Sequence, residues 1–122
     1  MATLTAQDST ELGTTITMAS ADAGGDDFVN SGNQIIIIEN EHGATSYNVT
    51  ITGHIDTNVS NTYADPNYGE LSKADTVKAC AAGSITTIGP FKPAGFNNSA
   101  GKVLITYSAV TSLKVAVVDI VG

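Results

Sequence analysis

Four consecutive isoleucines, Ile35 to Ile38, restrict the fold of this chain more than any other feature. β-Branched side chains favour extended backbone, and successive residues of a strand point to opposite faces. An unbroken apolar run this short therefore reads as a strand covered on both sides, central in its sheet. Val115 to Val118 repeats the signature near the other end of the sequence, so the last strand is either central or covered by a neighbour.

Helical periodicity is weak throughout. Thr, Val, Ile and Tyr recur instead in short runs between Gly, Asn, Asp and Pro. An N-terminal arm, residues 1–13, carries little apolar content and is either free or exchanged with a neighbour. Thr14 to Ala19 is the first expected strand. The following segment, Ser20 to Gln34, is dense in turn formers, with Phe28 and Val29 as its anchors to a core. After Ile35 to Ile38 the chain turns at Glu39 to Gly43 into Thr45 to His54. There Tyr47, Val49 and Ile51 share one face while Asn48, Thr50, Thr52 and His54 share the other, as in a hairpin with one dry side. Asp75 to Cys80 and Ser84 to Ile88 read as a second hairpin about Ala81-Ala82-Gly83, and Lys102 to Ser108 and Leu113 to Val121 close the domain. The fold class that follows is all-β. We expect a single-domain antiparallel β-sandwich or partly closed barrel, jelly-roll-like or immunoglobulin-like, of about seven or eight strands.

Twelve acidic residues against five lysines and no arginine give a net charge of −7. Phosphate affinity grows with the number of cationic contacts, so a nucleic-acid partner is not expected. No apolar run approaches the ~20 residues of a membrane span, and the first residues lack the basic and apolar regions of a secretory signal. A cytoplasmic site of synthesis and no membrane partner are the corresponding expectations. Cys80 is the single cysteine, which excludes an intrachain disulfide and suits a small buried hydrophobe.

Chemistry-bearing motifs are sparse. His42 sits in an expected turn and His54 on a wet strand face, with no metal-ligand spacing around them. Asp56, Asn58 and Ser60 begin like a calcium loop, but its sixth and twelfth positions are Asn61 and Asn67 where Gly and Glu are required. The Asp65 to Glu70 set and the Asp22, Asp26 and Asp27 set around Gly24-Gly25 are explained by turn chemistry. No nucleophile elbow or phosphate-binding glycine motif occurs, so the expectations are no enzyme, no cofactor and no metal.

Two segments stand out as contact candidates. The polar stretch Ile55 to Ala74 is long for a compact domain and carries Tyr63 and Tyr68, amphipathic side chains of the kind enriched at interfaces. Pro90-Phe91-Lys92-Pro93-Ala94-Gly95-Phe96 is a loop stiffened by two prolines. Phe91 and Phe96 either plug the open end of the sandwich or contact a neighbouring subunit.

The order of these elements resembles small structural proteins of tailed bacteriophages that are usually encoded beside the major capsid protein. The residues carrying the resemblance are Gly24-Gly25-Asp26, Ile88 to Phe91, Phe96-Asn97 and Thr106-Tyr107-Ser108. The resemblance implies a virion component, a cement or decoration protein on the outer surface of the capsid. Its partners would be the major capsid protein and its own copies, most often as a trimer. Other readings are a head-completion, tail or fibre-associated part, or a carbohydrate-binding module. The last needs exposed aromatics, for which this chain has no Trp and only Tyr47, Tyr63, Tyr68 and Tyr107.

Overall fold

The computed structural model describes residues 2–53 and 75–120. The Ile55 to Ala74 stretch with Tyr63 and Tyr68, and also His54, lies outside the described residues. Ten strands form among those described: β1 (Ala2–Leu4), β2 (Gln7–Ser9), β3 (Ala19–Ser20), β4 (Asp26–Val29), β5 (Gln34–Asn40), β6 (Tyr47–Ile51), β7 (Thr76–Cys80), β8 (Ile85–Ile88), β9 (Lys102–Tyr107) and β10 (Leu113–Ile120). A single helical turn, α1 (Pro93–Phe96), lies between β8 and β9.

The strands make two sheets, and the architecture is a β-sandwich, not a closed barrel. Sheet A has the order β1-β4-β9-β6-β7; sheet B has the order β2-β10-β5-β8, with β3 also paired to β10. Inward side chains of both sheets build one core that includes Phe28, Ile36, Ile38, Val49, Ile51, Val103, Ile105, Val115 and Val117. The isoleucine run lies in a central strand, flanked by β10 and β8. Ile36 and Ile38 are fully buried while Ile35 and Ile37 are half-buried on the outer face. β10 is central as well, and its Val115 to Val118 are all buried.

Several expectations are corrected. The arm is not free: its two short strands pair within the chain. β1 runs parallel to β4, and β2 runs parallel to β10, so both sheets are mixed where antiparallel pairing was expected. Thr14 to Met18 form no strand, and only Ala19 and Ser20 pair, with Val115 and Lys114. The turn-rich segment instead contains β4, which buries Phe28 but leaves Val29 62% exposed. Neither expected hairpin forms. β5 and β6 belong to different sheets, as do β7 and β8.

The crossing corners that replace those hairpins converge on Asn40. Its Nδ2 donates to Thr45 O (2.9 Å) and Cys80 O (3.0 Å), and its Oδ1 accepts from His42 N (3.0 Å). The Asn40 amide donates to Ser84 O, while its carbonyl accepts from Gly83 N. A fully buried amide is stable only when such groups are all paired, and here every polar group of Asn40 has a partner.

Candidate functional site

The motif residues singled out in the sequence gather into two joints at different places in the sandwich. The first ties β4 to β9. Gly25 donates its amide to Asp22 O (2.9 Å), closing a turn that Asp22 Oδ1 reinforces by accepting from Gly24 N (2.8 Å). The Gly24 amide holds the Asp22 carboxyl below its usual range. The turn delivers Asp26 to the interior, where it is fully buried. Its Oδ2 accepts from Tyr107 Oη at 2.6 Å and from Asp22 N at 3.2 Å. The Tyr107 phenol is pushed far above its ordinary value, first by burial and then by its hydrogen bond to the Asp26 carboxylate. Gly-Gly-Asp and Thr-Tyr-Ser, distant in sequence, are thus the two halves of one contact.

This contact has a testable pH signature. A tyrosine that stays protonated in the folded chain but ionises near pH ~10 when unfolded stabilises the fold below that pH. The stabilisation is lost as pH rises, because the unfolded chain releases a proton that the folded chain retains. Wild-type stability is expected to fall above pH ~10, with Tyr107 contributing up to about 1.4 kcal/mol per pH unit. Tyr107→Phe should lose about 2 kcal/mol at neutral pH, since a buried carboxylate forfeits its hydroxyl donor, and should show a shallower alkaline decline. Urea unfolding of both chains at neutral and alkaline pH measures the difference. Equal alkaline slopes would remove Tyr107 from the account.

The second joint closes the other end around the Phe91 loop. α1 starts with Pro93 at its first position, where a missing amide hydrogen is harmless, and its last turn is closed by Asn97 N donating to Pro93 O (2.8 Å). Asn30 Nδ2 donates to Phe91 O (3.1 Å) and to Asn97 Oδ1 (2.8 Å), and Asn97 Nδ2 returns a bond to Asn30 O (2.9 Å). Phe91 packs on Phe28 with ring centroids 6.0 Å apart and meets Phe96 edge-on at 5.2 Å. Phe91 and Phe96 are 3% and 6% exposed. Of the two readings of this loop, the structure favours the plug, and it leaves neither ring surface to offer a neighbour. Asn30, which sequence reasoning passed over as one turn former among many, turns out to organise the joint.

Other candidates separate. Cys80 is wholly buried and its thiol is pushed upward by burial, so it packs as a core group. His42 Nδ1 accepts from the amides of Ala44 (3.1 Å) and Thr45 (3.0 Å), a corner-forming role with its ring edge-on to Tyr47. Tyr47 is 5% exposed and offers no sugar platform. Asp26 and Asp27 are neighbours in a strand and so face opposite sides of the sheet; each has a buried Oδ1 without a partner among the described residues. No group of three or more His, Cys, Asp or Glu among the described residues is placed to hold a metal. No helix among them is long and apolar enough to cross a membrane. Among the described residues, the large apolar side chains left exposed are Leu12, Val29, Val77, Ile85 and Ile120.

Comparison with protein-family models, with curated proteins and with solved structures finds no match to this chain.

Proposed function

We propose that this chain is a bacteriophage capsid cement, or decoration, protein that binds the outer surface of the mature head across capsomer boundaries. The observation that carries the reading is the sequence resemblance through Gly24-Gly25-Asp26, Ile88 to Phe91, Phe96-Asn97 and Thr106-Tyr107-Ser108. Those residues supply most of the two joints described above, so the resemblance runs through side chains that hold this sandwich together. Charge supports the outer surface: a domain with net charge −7 and no arginine is poorly suited to face packaged DNA.

The mechanism is thermodynamic and needs no bond chemistry. A protein that binds the expanded lattice and not the immature one shifts the equilibrium toward the expanded lattice by its differential affinity. At a free concentration a hundredfold above its Kd, each occupied site contributes about 2.7 kcal/mol. A symmetric cluster, a trimer in the simplest case, would place several such sites at one capsid axis.

Electron cryomicroscopy of the purified virion tests the reading through copy number and position. Hundreds of copies on the outer shell at local symmetry axes are the expected result. A single ring at the portal vertex or on the tail would make the chain a head-completion or tail component instead. Absence from the particle would overturn virion placement altogether.

A further inference from the structure

We propose that His42 is an acid-sensitive latch on the corner between β5 and β6: the unprotonated Nδ1 of its ring holds the corner closed, and the corner opens when the imidazole takes up a second proton. The inference does not rest on the capsid reading.

The geometry leaves the ring one protonation state. Ala44 N and Thr45 N both donate to His42 Nδ1, at 3.1 and 3.0 Å. Backbone amides are donors only, so Nδ1 meets them with its lone pair and the proton of the neutral ring sits on Nε2. Turning the ring over would set a carbon against both amides and remove their acceptor. An imidazolium carries N–H donors on both nitrogens and has no acceptor. Protonation therefore replaces two hydrogen bonds with a donor aimed at two donors. A side-chain acceptor that takes the amides two and three residues further along is ordinarily an Asp or Asn oxygen, or a hydroxyl. Here a ring nitrogen fills that place, and imidazole is the side chain that ordinarily titrates in mildly acidic solution.

The consequence reaches the core because the same corner satisfies Asn40. Two of the three side-chain bonds of that fully buried amide go to the segment that His42 folds: Oδ1 accepts from His42 N, and Nδ2 donates to Thr45 O. Opening the corner leaves the bond to Cys80 O alone, and a buried amide that loses its partners is costly. The His42 ring also stands edge-on to Tyr47 at 5.8 Å, so its displacement uncovers a core aromatic.

The charged and titratable groups on the surrounding elements are few. Glu41 is bonded to Lys114 of β10 at 2.9 Å, which holds its carboxyl below the usual range. Glu39 of β5 stands opposite the same lysine in the ladder. β6 brings the Tyr47 phenol, and β7 brings Lys78 and the Cys80 thiol, which burial pushes upward. Residues 81–91 and 108–112 carry no titratable side chain. The unfolded chain accepts a proton on His42 in mild acid and the closed corner does not. The stability that the corner supplies is therefore complete above pH ~6.5 and declines as pH falls below it.

Urea unfolding of the purified chain at neutral pH and at pH ~5 tests the latch, with His42→Asn and His42→Ala measured beside it. His54 is present in all three chains, so its own titration cancels in the comparison. An asparagine oxygen accepts both amides at either pH, so His42→Asn should match the wild type at neutral pH and escape its acid decline. At pH ~5 the unfolding equilibrium constant of the wild type should rise relative to His42→Asn by up to about thirtyfold, the limit set by an unfolded imidazole that titrates near pH ~6.5. His42→Ala should be weaker at both pH values, by roughly tenfold, without the acid increment. Heteronuclear NMR on the wild type gives a second reading that needs no variant. The ring should be the Nε2–H tautomer at neutral pH, and the Ala44 and Thr45 amides should shift along the same titration curve as the ring protons. Equal acid declines in the wild type and His42→Asn, a ring protonated on Nδ1 at neutral pH, or amides that hold their shifts while the ring titrates would each overturn the inference.

Discussion

Gly25→Ala is expected to cost about 3 kcal/mol, which lowers Tm by roughly 10 °C in a domain of this size. Two independent terms add. Gly25 has φ of +94°, a conformation that an L side chain adopts only under strain. A Cβ built there would sit 2.8 Å from the Ile105 carbonyl oxygen, a backbone atom in the middle of β9 that cannot swing aside as a side-chain tip can. Relief would require β4 and β9 to separate at the point where Asp26 reaches Tyr107. The substitution should therefore also weaken the 2.6 Å contact between those two residues. Thermal melting of Gly25→Ala, Tyr107→Phe and the double variant reads this coupling. Costs that add within about 0.5 kcal/mol would show that the glycine and the tyrosine act independently, whereas a sub-additive double variant is expected from a shared joint.

The same glycine shows how far the sequence can be read. Period-two alternation identified the buried face correctly for Tyr47, Val49 and Ile51, because burial is a property of each strand's own pattern. It also placed Ile35 to Ile38 in a central strand, since an apolar outer face needs neighbours. Alternation does not say which sheet a strand joins. The chain from Asn40 to Tyr47 has the length and composition of a hairpin turn. What sends it to the opposite sheet is one buried asparagine, tied to Thr45 and Cys80. Nothing local distinguishes that asparagine from an ordinary turn former.

The pairing of the arm was illegible for a related reason. β1 and β2 are three residues each, too short to show a period, and their ladders are completed by β4 and β10 far away in sequence. Thr14 to Met18 had better strand propensity and formed none, since propensity reports fit to a half-buried pleated surface and this stretch acquires no ladder partner. Of the candidate contacts, Phe91 and Phe96 were legible as important but not as inward or outward, because a loop has no alternation to decide the face.

Phe91→Ala should then be a stability variant and not a binding variant, with a cost of about 4 kcal/mol on the isolated chain. Truncating a ring that is 3% exposed removes its contacts with both Phe28 and Phe96 and leaves a cavity that the surrounding strands close only in part. Gly89 restricts that collapse. Its φ is +119°, and a Cβ there would lie 3.0 Å from the Phe91 ring and 3.2 Å from both Gln34 O and Ile35 Cα, so the backbone behind the ring is already in close approach. A loss of that size takes a large share of the roughly 5–15 kcal/mol that holds a typical domain folded. Urea unfolding of the purified variant gives the first reading, and occupancy on capsids below its melting temperature gives the second. A plug loses stability while the folded fraction still binds. A contact loop would do the opposite, with wild-type unfolding and lost occupancy, and that result would require Phe91 to leave the core when the chain assembles.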